Sequence, residues 1–343
     1  MDADRRERKD KMRAYELRNE SGKTVLAMTE RPRPAPAADE VLVRMRAASL
    51  NFRDLLIGRA PRNAPLIPLC DGAGEVVETG AAVRSIKAGD RVAGTYFQDW
   101  LSGPLTANAF RTVLGQTVDG VLAEYVALKE HGVVRVPGHL SFEEAAALPC
   151  AGLTAWQALV TQGRIKPGDT VVVMGTGGVS IFALQFALMS GARVIATTGS
   201  ESKEQRLKSL GAGAVINYKS TPDWEKQVLE LTGGAGADHV VEVGGAGTLP
   251  RSLRALRHGG FVSLIGVLGG AGEKFSPGNI IMKGARLRGI FVGSRDMFEE
   301  MNRAIELNAM RPVVDRVFQF EEAAPALAFV ESGAHFGKVC IRI

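Results

Sequence analysis

Two hydrophobic rhythms divide the chain. From Met12 to about Val136, apolar residues come in short runs broken by turn residues: MRAYELR, the turn NESG, TVLAMTE, the proline-rich RPRPAPAAD, then EVLVRMRAAS. Runs of this length predict strands, and no long helix is expected among them. GAGEVVETG, GDRVAG, LAEYVAL and GVVRVP continue the pattern and close a β-rich domain. Ser141, with Glu144 three residues on, is a capping-box start for the helix FEEAAAL. From Lys166 the grammar changes. VVVMG, SIFALQFALMSG, RVIATT, KEQRLKSLG, AVINY, PDWEKQVLELTGG, DHVVEVG, TLPRSLRALRHGG and FVSLIGV alternate strand with helix. That alternation predicts an α/β fold with a parallel sheet and helices on both faces. After LRGIFVG come a helix near Met297–Leu307, the strand VDRVFQF, the short helix EEAAPALAFVES and the strand GKVCIRI, a return to β-rich character.

The most informative junction lies in Val171–Leu184, VVVMGTGGVSIFAL. An apolar strand ends at a turn containing Gly175, Gly177 and Gly178, which together with Val179 is the candidate cofactor-binding segment ahead of the helix. Glycines let the backbone turn sharply beneath an anion, and the free N–H groups of the helix then point at phosphate. Ser180 stands where this fingerprint usually ends in Gly or Ala. A second apolar strand, Ala192–Thr197, ends about 20 residues on, where the ribose of a dinucleotide is expected.

Composition narrows the picture. A chain of 343 residues, 45% hydrophobic, can bury a full core, and its length suggests two domains. Its 42 basic and 37 acidic residues are interleaved, so a net charge of +5 does not predict a nucleic-acid partner. MDADRRERKDK carries both signs without an apolar core, which reads as a disordered leader over residues 1–11 rather than a signal peptide. The longest apolar stretch, Val171–Met189, contains three glycines and fits strand-turn-helix better than a membrane span. Three widely spaced cysteines, Cys70, Cys150 and Cys340, give no disulfide framework and suit a reducing, cytoplasmic setting.

Several segments in order, SLNFRDLLIG, PLIPLCDGAGEVVETG, IKAGDRV, DGVLAEYV, ALPCAGLTAWQAL, KPGDTVVVMGTGGVS, VEVGG, LRGIFVG and HFGKVCIRI, resemble landmarks of the medium-chain dehydrogenase/reductase superfamily, nearest its quinone oxidoreductase-like and alcohol dehydrogenase-like members. The resemblance implies a GroES-like β-rich catalytic domain over residues 12–150, completed by 294–343, and a Rossmann doubly wound parallel-sheet domain over 151–293. It also implies a small-molecule substrate and a homodimer joined through the edge strand LRGIFVG.

Departures from the family pattern set the expected chemistry. Where zinc-dependent members place Cys, His and Cys, this chain has Asn51, Cys70 and Cys150. Asn51 is a poor ligand, and a catalytic zinc needs three protein ligands and an open position. No zinc is therefore expected, although Asp71 leaves open an irregular Cys70/Cys150/Asp71 site. Gly94–Asp119 contains no cysteine, which excludes the family's structural zinc site on ligand count. Without a Lewis acid, the acceptor should already be activated, as a quinone or an α,β-unsaturated carbonyl is. Asn51 is the candidate donor to the developing oxyanion. Asp54 either orients its loop or caps a helix, and Tyr96 is either a proton donor or a packing ring.

Cofactor preference follows the end of the second strand. NAD-preferring domains carry an acid there, whereas Thr198 stands in this chain, followed by Gly199, Ser200, Lys203 and Arg206. A hydroxyl and cations suit a 2′-phosphate, which favours NADP(H) over NAD(H). By resemblance, Tyr218 stacks near the adenosine or packs; Thr154, Gly244, Val267 and Val292 line the nicotinamide; and Lys338 reaches the cofactor. His131, His139, His239, His258 and His335 show no metal-ligand spacing. A non-catalytic NADPH-binding protein is the alternative from outside enzymology.

Overall fold

The computed structural model describes residues 11–61, 63–266, 268 and 277–343. Two compact units divide them: residues up to Leu153 together with Gly293–Ile343, and Thr154–Val292. In the first unit β1 (Lys11–Glu20) and β2 (Lys23–Pro32) form an antiparallel hairpin, and the expected leader over residues 1–11 lies, Lys11 apart, outside the described residues. β3 (Glu40–Leu50) then leads directly into helix α1 (Phe52–Arg59). β4 (Asp71–Thr79), β5 (Arg91–Gly94), β6 (Tyr125–Lys129) and β7 (Val133–Arg135) follow, and Ser141 caps the short α2 (Phe142–Ala146) by accepting from the Glu144 N–H. Helix α1 is a short helix within this β-rich stretch, where no long helix is expected; eight residues are too few to show a helical period clearly.

The second unit runs β8 (Thr170–Met174), α3 (Gly178–Met189), β9 (Arg193–Thr198), α4 (Glu201–Ser209), β10 (Ala214–Asn217), α5 (Trp224–Leu231), β11 (Ala237–Glu242), α6 (Leu249–Ala255), β12 (Leu256–Leu264) and β13 (Arg286–Gly289). All its ladders are parallel, in the order β10-β9-β8-β11-β12-β13. This is the doubly wound 3-2-1-4-5-6 order of a dinucleotide-binding sheet. Val172, Ile195, Val240 and Val262 of the strands pack on Trp224, Val228, Leu249 and Leu253 of α5 and α6. Each such side chain contributes about 1.5–3 kcal/mol on burial. Two boundaries differ from the sequence reading. The RHGG segment belongs to β12 rather than to the preceding helix, through a bulge between Ala237 and His239 pairings. The last strand ends at Gly289 instead of running through LRGIFVG, because Val292 sits at φ 52, a left-handed conformation that a strand cannot contain.

His239 on β11 is buried in this unit with its Nε2 3.1 Å from Asp169 Oδ2, and its Nδ1 has no partner. The imidazole is thus a neutral Nε2–H donor. Burial lowers its pKa, against the opposing pull of Asp169. The unfolded chain therefore binds this proton more readily than the folded one, so stability is lost as pH falls through about 6.5. His239→Gln, which keeps the donor, should show a smaller drop in melting temperature between pH 7.5 and 5.5 than the wild type. Equal drops in thermal scans would assign the sensitivity elsewhere.

Returning to the first unit, α7 (Arg295–Leu307), β14 (Val314–Gln319), α8 (Ala323–Glu331) and β15 (Lys338–Arg342) complete its sheet in the order β14-β15-β3-β4-β5-β7, with β6 on β3. Register places Ser49 of β3 opposite both Asp71 and Cys340, and Leu50 opposite Val339. The end of β3, the start of β4 and the start of β15 thus meet at one corner. No helix among the described residues is long and apolar enough to cross a membrane.

Candidate functional site

That corner gathers the polar residues of the first unit. Asn51 leaves β3 and starts α1, and its backbone N–H donates to the Asp54 carboxylate at 2.8 Å. Asp54 is therefore the helix-capping carboxylate, the second of its two sequence readings. The Asn51 amide is held at both ends: Oδ1 accepts from Lys338 Nζ at 2.6 Å, while Nδ2 donates to Asp71 Oδ2 at 2.9 Å and faces Cys70 Sγ at 3.8 Å. Its donor capacity is thus spent inside the protein. Lys338 is 2% exposed, and its three N–H bonds reach Leu50 O (2.8 Å), Asn51 Oδ1 and Asp71 Oδ2 (3.4 Å). An ammonium has three donors, so none is left over.

Asp71 is fully buried, and its other oxygen accepts from the Cys70 thiol at 3.2 Å. Burial pushes the Asp71 carboxyl up, with Lys338 and the hydrogen bonds pulling it back. Burial likewise drives the Cys70 thiol well above its ordinary range, helped by a hydrogen bond with Cys150. Cys150 lies on the π-helical turn Leu148–Gly152, and the ligand atoms of Cys70, Asp71 and Cys150 are all within 4.8 Å of one another. Beside them Arg53 is mostly buried, 16% exposed at its side chain. It donates to Asp54 (3.1 Å) and Gln116 (2.9 Å) and lies 4.9 Å from the Tyr96 ring centre. Burial raises Asp54 to about 6 and moves the buried Tyr96 phenol upward, in both cases against the influence of Arg53.

In the second unit the glycine turn is open. Gly175 sits at φ 72, and a Cβ at Gly175 or Gly177 would meet nothing within 4 Å. Gly177 caps α3, whose first N–H groups belong to Gly178, Val179 and Ser180. Such a turn suits a pyrophosphate. Ser180 donates to Met174 O at 2.6 Å, so the residue that departs from the fingerprint ties the helix to the strand tip. At the end of β9, Thr198 is buried and accepts from the Ser200 N–H at 3.2 Å. Tyr218, 44% exposed, crosses Gly199, where a Cβ would lie 2.6 Å from its hydroxyl. Lys203 falls in the first turn of α4. Thr154 and Val292 are buried at the two limits of the unit, and Gly244 follows β11. Val267 lies outside the described residues. Lys338 belongs to the cluster of the first unit.

Two residues, Arg53 and Glu242, and the pairing of Lys338 with Asp71 are not legible in the sequence reading. Arg53 stood inside SLNFRDLLIG, where a lone cation in an apolar run was the available signal. Glu242, an acid ending the apolar run of DHVVEVG, gave a similar one. The Lys338–Asp71 pair gave none.

Residues 37–138 match the family model of the alcohol dehydrogenase GroES-like domain, and residues 178–307 that of zinc-binding dehydrogenase. A zinc-type alcohol dehydrogenase-like protein of Schizosaccharomyces pombe is 45% identical over 316 residues, covering 89% of this chain and 91% of that protein. Quinone oxidoreductase of Lama guanicoe is 28% identical, covering 92% of each. The solved 2-octenoyl-CoA carboxylase reductase CinF, in complex with NADP and 2-octenoyl-CoA, aligns at 26% identity with a TM-score of 0.85, covering 97% of this chain and 88% of that one. The chain belongs to the medium-chain dehydrogenase/reductase superfamily. It is an oxidoreductase that works with a nicotinamide cofactor.

Proposed function

We propose that this protein is a zinc-independent, NADPH-dependent reductase of quinones or α,β-unsaturated carbonyls. The observation that carries the reading is the Lys338 ammonium on the buried Asp71 carboxylate, joined by the Asn51 amide. A fixed cation already compensates the one carboxylate a metal would need, and the Cys70 thiol donates to its other oxygen. As organised, the donor set does not suit zinc, which takes deprotonated thiolates and a carboxylate free to coordinate.

A nicotinamide cofactor, when bound, would supply the hydride. The negative charge then develops on the acceptor oxygen, and Arg53 is the group suited to it. Two of its five N–H donors serve Asp54 and Gln116, which leaves the others for an oxyanion. Asp54 holds the guanidinium, and Tyr96 packs against its face. NADPH is supported by Thr198 in the place of an acid, and by Ser200 and Lys203 at the start of α4. Glu204, also in that turn, is engaged by Asn217 at 2.9 Å. The same reading joins two copies along β13, whose edge strand neighbours the exposed Ile281, Met282 and Phe291. The second reading, an alcohol dehydrogenase with zinc on Cys70, Cys150 and Asp71, is favoured by their mutual approach within 4.8 Å.

One purified preparation tests these readings. Elemental analysis should find no stoichiometric zinc, light scattering a dimer, and spectrophotometry faster oxidation of NADPH than of NADH with simple quinones and enones. About one zinc per chain would replace the first reading by the second. Cofactor binding without turnover on any acceptor would point to a non-catalytic protein.

A further inference from the structure

Glu242 is the last residue of β11 and is fully buried, yet among the described residues no cation is paired with it. Its Oε1 accepts from the backbone N–H of Gly244 (2.7 Å), that of Gly245 (3.0 Å) and the Thr248 hydroxyl (2.6 Å). Its Oε2 accepts from the Ser252 hydroxyl. Every polar contact is a donor aimed at the carboxylate, the arrangement that lets a buried anion persist without a counter-ion. A neutral core would do for folding alone, so this costly group calls for a reason at its location.

The location supplies one. In a 3-2-1-4-5-6 sheet, the dinucleotide straddles the C-terminal strand ends at the point where strand order reverses, here between β8 and β11. The glycine turn after β8 takes the pyrophosphate, and the β9 and β10 side takes the adenosine half. The turn after β11 is therefore on the nicotinamide side. That turn is built tightly: a Cβ on Gly244 would lie 2.3 Å from Thr248 Oγ1, Gly245 sits at φ 88, and a Cβ on Gly266 after β12 would lie 2.2 Å from Val243 O. Gly244 and Gly245 both donate to one carboxylate oxygen, so Glu242 ties the two peptide N–H groups of the turn to a single point. Ser252 also approaches Met174 Sδ at 3.6 Å, which connects the clamp to the last residue of β8.

We infer that Glu242 is a positioning residue: it holds the Val243–Gly245 turn in the form against which the nicotinamide half of the cofactor rests. The inference rests on the cofactor reading above. Glu242→Gln keeps the size but presents an amide that cannot accept from two backbone N–H groups and two hydroxyls at once. Affinity for NADPH should fall about tenfold, the loss of one hydrogen bond to a charged group. Affinity for 2′-phospho-ADP-ribose, which lacks the nicotinamide, should change less than twofold. Thr248→Val, a milder change on the same oxygen, should give the same selectivity at about threefold.

Binding of both ligands to the wild type and the two variants, by calorimetry, decides it. Parallel losses for the two ligands would show that Glu242 merely supports the unit, and unchanged NADPH affinity would show that the turn holds its shape unaided. Either overturns the inference. If Glu242→Gln does not fold, the Thr248→Val ratio decides alone. A wild type that binds neither NADPH nor its fragment would remove the cofactor reading itself, a failure distinct from that of the clamp.

Discussion

Arg53→Met should lower kcat for quinone or enone reduction by about 10²- to 10³-fold, with NADPH affinity held within about twofold. The expectation comes from donor accounting. Asn51, the sequence's candidate for stabilising the oxyanion, has its amide committed to Asp71, Cys70 and Lys338, and Lys338 has no donor left. Arg53 is the neighbouring cation with N–H groups to spare, held in a mostly buried position where a charge–charge contact is weakly screened. Removing it also takes from the buried Asp54 the stronger of the two cations that act on it, Arg53 and Lys338, which raises that carboxyl further from its present value of about 6. Stability should fall as a side effect, so the comparison must include Arg53→Lys. A lysine keeps the charge but not the planar fork, and should recover part of kcat. Single-turnover measurements at saturating NADPH separate the chemical step from binding. A kcat within threefold of wild type in Arg53→Met would end the assignment.

Lys338→Met should destabilise the protein by about 3–5 kcal/mol, the cost of leaving a buried charge without its partner. Asp71 is fully buried, and among the described residues its one cationic contact is from a side chain 2% exposed. Its carboxyl is already held above the usual range by burial, and losing Lys338 should push it higher still, so part of the cost is relieved by protonation. The double variant Asp71→Asn/Lys338→Met removes both charges and should recover more than half of the loss. Urea unfolding followed by circular dichroism gives each value. A single variant that loses less than about 1 kcal/mol would mean the pair is structurally idle. A double variant no better than the single would mean that the aliphatic stem of Lys338, not its charge, matters there.

The sequence by itself determined the architecture and the cofactor class. Alternating apolar runs and helical segments from Lys166 onward specify a parallel sheet, because only such a sheet buries both faces of strands as apolar as Val171–Met174. The glycine turn was legible because its chemistry is local: six consecutive residues hold the strand tip, the open backbone and the helix start. The capping role of Asp54 was legible as one of two readings, since the cap lies within four consecutive residues, Asn51 to Asp54. Boundaries at Leu256 and Gly289 were not, because a bulge and a left-handed Val292 are settled by pairing and packing.

What the tertiary structure alone decided was who holds whom at the site. Lys338 meets Asn51 across 287 positions and Asp71 across 267, brought together by the register of β15 on β3 and of β3 on β4. No local pattern encodes such a meeting. It sets Asn51 as a bridge between Asp71 and Lys338, and Lys338 as the counter-ion of Asp71. The physical reason is burial: in water each of these polar groups would be satisfied by solvent, whereas inside the fold each donor and acceptor must be matched by another side chain or by backbone.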